Sequence, residues 1–194
     1  AALANIPGLR IVMPAFADDA AGLLRCAFRT RGITIYLEPG FLYNHASAKT
    51  QFPQPHLCVP VGRARLRREG VDLSIITYGN TVHFSLQAAE RLAGQGIGCD
   101  VLDLRSILPY DHEAIATTVR KTGKVIIAHE AGRTGGFGGE LAAHIAEQHF
   151  GQLDAPVRRV ASLDTPVGFS RVLEDAILVG EEEIVSAGLE LAHY

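Results

Sequence analysis

The chain has 194 residues, of which 47% are hydrophobic and 20% are charged, and its formal net charge is −3. This length allows one or two domains, and the hydrophobic share is enough to fill a core. The near-neutral balance and the lack of a basic block argue against a nucleic-acid partner. No run approaches the ~18 consecutive apolar residues of a membrane-spanning helix, and no signal peptide pattern opens the chain.

The cysteines bear on the redox compartment. The chain has three of them, an odd number, at widely spaced positions: Cys26, Cys58 and Cys99. Small disulfide-stapled domains and zinc sites both need closely and regularly spaced cysteines in larger sets. The spacing therefore favours reduced thiols in a cytosol over a disulfide framework or a zinc site.

The first third of the chain predicts a single β-α-β unit. Residues 9–13 (LRIVM) form an apolar run that Pro14 stops, and residues 33–39 (ITIYLEP) form a second strand-like run. Between them, apolar residues after Asp18 follow helical spacing, which suits a crossover helix. The residues with that spacing are Ala20, Leu23, Leu24, Ala27 and Phe28.

Residues 40–62 interrupt this alternation. They carry three prolines and two glycines and show no clear hydrophobic period. Such a composition is typical of a connecting segment without regular structure. We therefore predict a linker here.

Strands and helices alternate again from residue 73 to the end of the chain. Strands are predicted at 73–79, 98–104, 124–129 and 157–161. Helices are predicted after Thr81, after a capping Asp111, from Phe137 to Phe150, and from the Glu181–Glu183 run onward. This alternation predicts an α/β fold of three layers, α/β/α, with a mostly parallel sheet.

The stretch HEAGRTGGFGGELAAHI, residues 129–145, is the strongest candidate for a functional turn. It fails the dinucleotide template, because Leu141 occupies the place of the final glycine, and it lacks the Gly-Lys-Ser/Thr string of a P-loop. Its place between a strand and a helix is nevertheless where open α/β sheets keep their ligand crevices. Three interpretations stay open: anion binding by backbone N–H groups, close packing against a neighbouring chain or domain, and acid–base chemistry by His129 beside Glu130. A hydrogen-bonded structural histidine is the alternative to the third.

No other catalytic or metal-binding pattern is present. His144 and His149 are five residues apart, which places them on different faces of a helix, and the string H-E-x-x-H is absent. Ser106 and Ser170 lack the glycine neighbours of a nucleophile elbow. We therefore assign no catalytic, cofactor-binding or metal-binding residue from the residue chemistry.

Several strings, taken in order, resemble one family. The most specific are DLRSILPYD at 103–111, KTG at 121–123 and HEAGRTGGFG at 129–138. With the surrounding sequence from about residue 8 to the end, they resemble the β subunit of the E1 component of 2-oxoacid dehydrogenases. That family includes the pyruvate, branched-chain 2-oxoacid and acetoin dehydrogenases.

The resemblance implies a domain division and an activity. Residues 1–55 would be the C-terminal remnant of a pyrimidine-binding domain plus the start of the linker, and residues 56–194 a transketolase C-terminal-like domain. The whole enzyme would use thiamine diphosphate and Mg²⁺ to decarboxylate a 2-oxoacid oxidatively and pass the acyl group to lipoamide. Implied partners are an E1 α subunit, a second β subunit in a two-fold dimer, and the E2 acyltransferase, in the cytoplasm or the mitochondrial matrix.

The chain departs from the family pattern in two respects. It has no counterpart of the cofactor-activating glutamate, the stacking aromatic residue or the substrate histidine, so we expect this segment alone to be inactive and to bind no cofactor. The turn at Arg29–Gly32 differs from a family potassium site, although the carbonyls of Ala27 and Phe28 are still present. We also expect residues 1–55 to be less stable than 63–194, because their strands would lack sheet neighbours.

The resemblance places the glycine-rich turn near subunit contacts and the mouth of the active site, as a packing and docking element. Phe137 is expected to be an exposed aromatic anchor there. The candidate residues are His129, Glu130, Thr134, Gly135, Gly136, Phe137 and Glu140. There are two alternatives: a stand-alone docking module, and the tail of another thiamine enzyme such as a transketolase or deoxyxylulose-phosphate synthase. The strings at 103–111 and 129–138 favour the E1 β subunit over the second alternative.

Overall fold

Two β-sheets organise the chain in the computed structural model, which describes residues 2–194. The strands are β1 (Arg10–Val12), β2 (Thr34–Tyr36), β3 (Arg65–Arg68), β4 (Leu73–Thr77), β5 (Cys99–Asp103), β6 (Ser106–Leu108), β7 (Val125–Gly132) and β8 (Arg158–Ser162). The helices are α1 (Ala17–Arg29), α2 (Thr81–Ala93), α3 (His112–Thr122), α4 (Gly138–His149), α5 (Arg171–Ile177) and α6 (Glu181–Ala192). Among these residues no helix has the length and apolar character needed to cross a bilayer.

The larger sheet has five strands in the order β3-β5-β4-β7-β8. The pairs β4–β5, β4–β7 and β7–β8 are parallel, and only the edge strand β3 runs antiparallel to its neighbour. The central strand β4 is buried along its whole length, as expected for a strand covered on both faces. The predicted mostly parallel sheet is therefore confirmed.

Helices cover both faces of this sheet and create two separate apolar cores. On one face, α2 and α6 pack their apolar sides on alternate strand residues such as Ile75 and Ile126. On the other face, α3 and α4 pack on the intervening residues, such as Ile76 and Ile127. This alternation follows the two-residue period of a strand. The three-layer α/β/α prediction is confirmed.

The start of α3 illustrates how local sequence sets an element boundary. Asp111 has extended backbone, and its carboxylate accepts a hydrogen bond of 3.1 Å from the backbone N–H of Ala114. This satisfies one of the N–H groups that a helix leaves free at its first turn. The same carboxylate accepts from the backbone N–H of Ala64 at 3.0 Å, so the cap also fixes the end of the linker.

The smaller sheet has three strands in the order β2-β1-β6. β1 and β2 are parallel and joined by α1, which confirms the predicted β-α-β unit. β6 pairs antiparallel with β1 and belongs to the DLRSILPYD stretch, far along the sequence. β1 therefore has neighbours on both sides, whereas β2 and β6 are the edge strands of this sheet within residues 2–194.

Between β2 and β3 the structure contains only short 3₁₀ helices, at Gly40–Asn44 and Ala46–Ala48. This agrees with the predicted linker over 40–62. The division of the chain at residue 55 stays a prediction, because β6 joins the two parts in one sheet.

A buried cluster of charged side chains connects α1 to the larger sheet. Asp19 accepts hydrogen bonds from Arg105 and Arg67, and Arg67 also donates to Asp103 at 2.8 Å. All four side chains are at most about one tenth exposed. Burial raises the pKa of the Asp103 carboxyl, and the adjacent Arg67 opposes that rise. Arg105 adopts the left-handed backbone region, with φ 56°, to reach Asp19.

Candidate subunit-contact site

The glycine-rich turn connects β7 to α4 at the carboxyl end of the parallel strands. His129 pairs with Ala161 of β8, and the next pair in the ladder is Gly132 with Ser162, so β7 is irregular at residues 130–131. Such an irregularity re-aims the chain at the end of a strand. The turn that follows lies at the sheet edge where ligand crevices of open α/β folds are found.

The glycines of this turn make room for the side chain of His129. A Cβ atom on Gly138 would lie 2.2 Å from Cδ2 of the imidazole, and one on Gly136 would lie 2.7 Å from its Cε1. No real Cβ makes contacts this short, so only glycine allows the backbone to pass so close to the ring. The turn therefore packs closely against its own histidine, and close packing against a neighbouring chain or domain stays a prediction.

His129 has neither the access nor the titration range for acid–base work at neutral pH. Its side chain is fully buried, and burial lowers the pKa of the imidazole to about 4. Its ring lies parallel to that of Tyr78, with 6.4 Å between centroids. Neither ring nitrogen has a well-formed hydrogen bond within residues 2–194. His129 is thus a neutral, enclosed residue, which favours a structural role over acid–base chemistry.

Glu130 joins two elements. Its carboxylate accepts a hydrogen bond from the side-chain amide of Asn80, just before α2. The same carboxylate lies near the Tyr78 phenol, and burial together with this negative charge raises the pKa of Tyr78. Glu130 therefore fixes the end of β7 against the start of α2.

Thr134 ties the tip of the turn to the segment after β8. Asp164 accepts hydrogen bonds from the Thr134 hydroxyl at 2.7 Å and from its backbone N–H at 2.9 Å. These bonds lower the pKa of the Asp164 carboxyl. The two exposed loops are thereby held in one relative position.

Phe137 was expected to be exposed, and this expectation is wrong. Its side chain is only 7% exposed and belongs to the core between the sheet and helices α3 and α4. Its ring meets Tyr110 edge-on at 5.8 Å between centroids. Phe137 directly precedes α4, and burying this large ring in the nearby apolar core is more favourable than leaving it in water. A partner chain cannot use it as an anchor in this conformation.

The turn separates two clefts, and the candidate residues line them. One cleft, of about 520 Å³, contains Gly135, Gly136 and Glu140 together with Arg159. The other, of about 660 Å³, contains Glu130 and lies against the segment that follows β8. Phe137 forms part of the wall of both. The structure thus brings six of the seven predicted residues to the cleft walls or the turn tip, while His129 supports them from inside.

Sequence reasoning missed a group of exposed apolar residues beside the turn. They lie between β8 and the middle of α5 and expose more than half of their side-chain surface: Leu163, Val167, Phe169, Val172 and Leu173. A contiguous exposed apolar patch is typical of a protein–protein contact. The spacing in TPVGFSRVLE shows no clear period, so only the structure reveals that these side chains, all within eleven residues of sequence, are exposed. We call these five residues the apolar segment.

The histidines near α4 are closer together than their spacing predicted. The rings of His144 and His149 are 5.7 Å apart, and His144 lies 3.2 Å from His112, nitrogen to nitrogen. The prediction of different faces fails because His149 leaves helical geometry at the end of α4, with φ −131°. Even so, within residues 2–194 no cluster of His, Cys, Asp and Glu could hold a metal ion.

The turn after α1 gives little support to a potassium site. The Ala27 carbonyl accepts the backbone N–H of Thr30 at 3.2 Å, and the Thr30 hydroxyl donates to the carbonyl of Cys26 at 2.7 Å. Carbonyls that already accept hydrogen bonds in this way have fewer lone pairs to offer a cation. The Ala27 carbonyl is therefore engaged inside the turn.

Comparison with known proteins identifies the relatives of this chain. The family described as "Transketolase, C-terminal domain" matches residues 62–184. The chain is 40% identical over its full length to the 2-oxoisovalerate dehydrogenase subunit beta of Bacillus subtilis, of which it covers 59%. It is 39% identical over 96% of its length to the acetoin:2,6-dichlorophenolindophenol oxidoreductase subunit beta of the same organism, of which it covers 54%.

A plant relative and two solved structures complete the comparison. The chain is 38% identical over 95% of its length to the mitochondrial pyruvate dehydrogenase E1 component subunit beta-1 of Arabidopsis thaliana, of which it covers 51%. A split-gene transketolase, described as an inactive β4 tetramer, superposes with a TM-score of 0.78 at 25% identity, covering 97% of this chain and 59% of that one. A transketolase mutant from Pichia stipitis gives a TM-score of 0.64 at 12% identity, over 99% and 26% of the two chains. The chain spans about half to three fifths of the β subunits it matches, and the expected resemblance to them is confirmed.

Proposed function

The chain belongs to the transketolase C-terminal domain family, and on this premise we propose that it is the C-terminal portion of the β subunit of a thiamine diphosphate-dependent 2-oxoacid dehydrogenase E1. In this role it would hold subunits together and dock the E2 acyltransferase, while the whole enzyme decarboxylates a 2-oxoacid. The observation that carries the proposal is the identity of 38–40%, across nearly the whole chain, to β subunits of a 2-oxoisovalerate dehydrogenase, a pyruvate dehydrogenase E1 and an acetoin oxidoreductase.

The alternatives have weaker support. Similarity to transketolases is lower, at 25% identity for the split-gene enzyme and 12% for the Pichia enzyme, so the tail of a transketolase is disfavoured. A stand-alone docking module would share the fold, but it would not require 38–40% identity to these β subunits across nearly the whole chain. The dehydrogenase subunit therefore remains the best-supported function.

The residues of this chain do not fit a thiamine diphosphate site. A diphosphate cradle needs free backbone N–H groups around an open space, but the imidazole of His129 occupies the space inside the glycine-rich turn. The described residues also contain no carboxylate or histidine cluster suited to Mg²⁺. We assign binding of the cofactor to the rest of the enzyme, including the E1 α subunit, and derive no chemical step through this segment.

We propose that the contact surface for other subunits consists of the turn at 129–137 and the apolar segment. The Thr134–Asp164 hydrogen bonds hold these two parts together, which pre-organises the surface. Its occupant would be a second copy of this chain. The β4 tetramer in the description of the split-gene transketolase supports self-association of such chains without an α subunit. We place the enzyme in the cytoplasm, or in the matrix if its source is mitochondrial.

A chimeric enzyme tests the proposed function. The matching part of the Bacillus subtilis 2-oxoisovalerate dehydrogenase subunit beta is replaced by this chain, and the chimera is co-expressed with the α subunit of that enzyme. We expect the α subunit to co-purify and the complex to oxidise 2-oxoisovalerate with a dye acceptor, thiamine diphosphate and Mg²⁺. The 194-residue chain by itself should give no turnover in the same assay.

Two controls make the result decisive. The β subunit without its matched part should neither retain the α subunit nor show turnover. A chimera that is folded by circular dichroism but leaves the α subunit unbound would overturn the proposal. Turnover by the isolated chain would also contradict it, because the chemistry would then reside in this segment.

A further inference from the structure

The last part of the linker lies along the outer face of α1. The backbone N–H of Val59 donates to the carbonyl of Gly22 at 3.1 Å, and Arg25 donates to the carbonyl of Gln54 at 3.1 Å. A Cβ on Gly22 would lie 2.5 Å from Cγ2 of Val59, so the glycine permits this close approach. Two separate hydrogen bonds therefore fix residues 54–59 against residues 22–25.

This arrangement brings two cysteines together. Cys26 follows Gly22 by one helical turn and so lies on the same face of α1. Cys58 is the neighbour of Val59, which contacts Gly22, so its thiol lies beside that of Cys26, near enough to affect the pKa of the Cys26 thiol. Both residues are half-buried, whereas Cys99 is fully buried in the core of the larger sheet.

In its reduced form the Cys26 thiol reacts slowly with oxidants. Burial, together with the hydrogen bond and charge of Cys58, raises the pKa of the Cys26 thiol, and the backbone N–H of Val61 opposes this rise. A raised pKa leaves little thiolate, which is the nucleophile in thiol oxidation. Cys26 is therefore a slow nucleophile, and we expect it to react only when an oxidant is present.

We propose that Cys26 and Cys58 are a redox modification site at which a peroxide forms a reversible disulfide between α1 and the linker. One thiolate attacks the peroxide, taking one oxygen as a sulfenic acid and releasing water or an alcohol. The second thiol then displaces water from the sulfenic acid to form the S–S bond. The two thiols lose two electrons and two protons, and hydrogen peroxide is reduced to two molecules of water.

The disulfide would restrain the unfolded chain across residues 26–58, a segment that contains β2 and both 3₁₀ helices. Closing a loop of this length lowers the entropy of the unfolded state. We therefore expect the oxidised protein to unfold at a temperature about 5 °C or more above the reduced protein. The disulfide would also hold the linker on α1 and so limit relative movement of the two sheets.

Peptide mapping of the native 194-residue chain tests this site. The chain is treated with hydrogen peroxide, blocked with iodoacetamide, digested with trypsin without reduction, and analysed by mass spectrometry. Cleavage after arginine and lysine places Cys26 in the peptide 26–29 and Cys58 in the peptide 50–63. We expect these two peptides to be joined, an intact mass lower by two hydrogens, and full reversal by dithiothreitol.

The controls distinguish a specific Cys26–Cys58 disulfide from nonspecific cysteine oxidation. Cys58→Ser and Cys26→Ser should each lose both the mass change and the rise in unfolding temperature, whereas Cys99→Ala should retain them. In urea, pairings that include Cys99 should appear alongside the native pairing. Absence of the joined peptide in the native protein, bonds between chains, or oxidation of single cysteines to higher acids in place of pairing would each overturn the proposal.

Discussion

Nη1 of Arg105 donates a hydrogen bond of 2.7 Å to Oδ1 of Asp19, across 86 residues of sequence. Arg105 lies directly before β6 and Asp19 lies in the first turn of α1, so this pair joins the two sheets at the same place where β6 pairs with β1. The guanidinium also donates to the carbonyls of Arg63 and Ala64. A buried charge with several partners of this kind is costly to leave unpaired.

Asp19→Ala should therefore destabilise the protein strongly. It removes the carboxylate that faces Arg105 and Arg67 and leaves their charges buried, which costs about 3–5 kcal/mol of unfolding free energy. The neighbouring Asp18→Ala is the matched control, because Asp18 pairs with a half-exposed Arg65 at 3.1 Å. That pair should contribute no more than about 1 kcal/mol. Urea unfolding monitored by circular dichroism measures both, and equal losses would contradict the role given to Asp19.

The packing of the turn around His129 predicts a sharp difference between two adjacent glycines. Gly138→Ala would place a methyl group 2.2 Å from Cδ2 of the imidazole, far inside normal contact distance, and overpacking of a core costs about 1–3 kcal/mol. Gly139→Ala would meet only the flexible end of Arg159 at 3.3 Å and should be neutral or slightly stabilising in a helix. Thermal unfolding of the two variants distinguishes them, and equal melting temperatures would show that the turn can relax away from the ring.

The regular elements of this fold could be predicted from sequence because each carries its own periodic pattern. The strands predicted at 73–79 and 98–104 differ from the observed bounds by at most two residues at either end, and the helix capped by Asp111 begins at His112 as predicted. β3 and β6 were missed, since each is short and exists only through pairing with a strand distant in sequence. α5 was missed because its seven residues are too few to show a helical period.

The candidate site could be located but not understood from sequence. The glycine-rich turn can be recognised from its glycine content, and its place after a strand follows from the apolar run that precedes it. The glycines contact His129 across seven and nine residues of the chain, and Phe137 turns inward against Tyr110, which lies 27 residues earlier. No periodicity encodes such contacts. The apolar segment was overlooked for the same reason, because exposure is a property of the folded chain.

The lowered pKa of His129 predicts a loss of stability in mild acid. An unfolded histidine titrates near pH 6.5, whereas the folded ring, with a pKa of about 4, stays neutral to lower pH. The unfolded state therefore binds more protons between these values, so stability is fully present above pH 6.5 and is lost as the pH falls toward 4. At pH 5 this residue alone should cost on the order of 2 kcal/mol.

Urea unfolding at pH 7 and pH 5 measures this effect. His129→Asn removes the titration, so the difference in unfolding free energy between the two pH values should shrink in the variant, even if the variant is less stable at pH 7. His56→Asn, at an exposed linker position, is the control and should leave the difference unchanged. An unaltered pH dependence in His129→Asn would mean that the ring is protonated in the folded state at pH 5.

The exposure of Phe169 predicts where the chain self-associates. Phe169 is fully exposed at the centre of the apolar segment, beside the turn that Asp164 holds through Thr134. In a two-fold dimer each substitution acts twice, and burying an unpaired carboxylate in an apolar contact is unfavourable. Phe169→Asp should weaken dimerisation at least tenfold, which corresponds to about 1.4 kcal/mol.

The control is Phe52→Asp, which changes a similarly exposed phenylalanine of the linker and should dimerise like the wild type. Light scattering coupled to chromatography at tens of micromolar measures the dissociation, with circular dichroism to confirm folding. A monomeric wild type, or two variants that dimerise equally well, would exclude the apolar segment as the contact between copies and leave the α subunit or E2 as its partner.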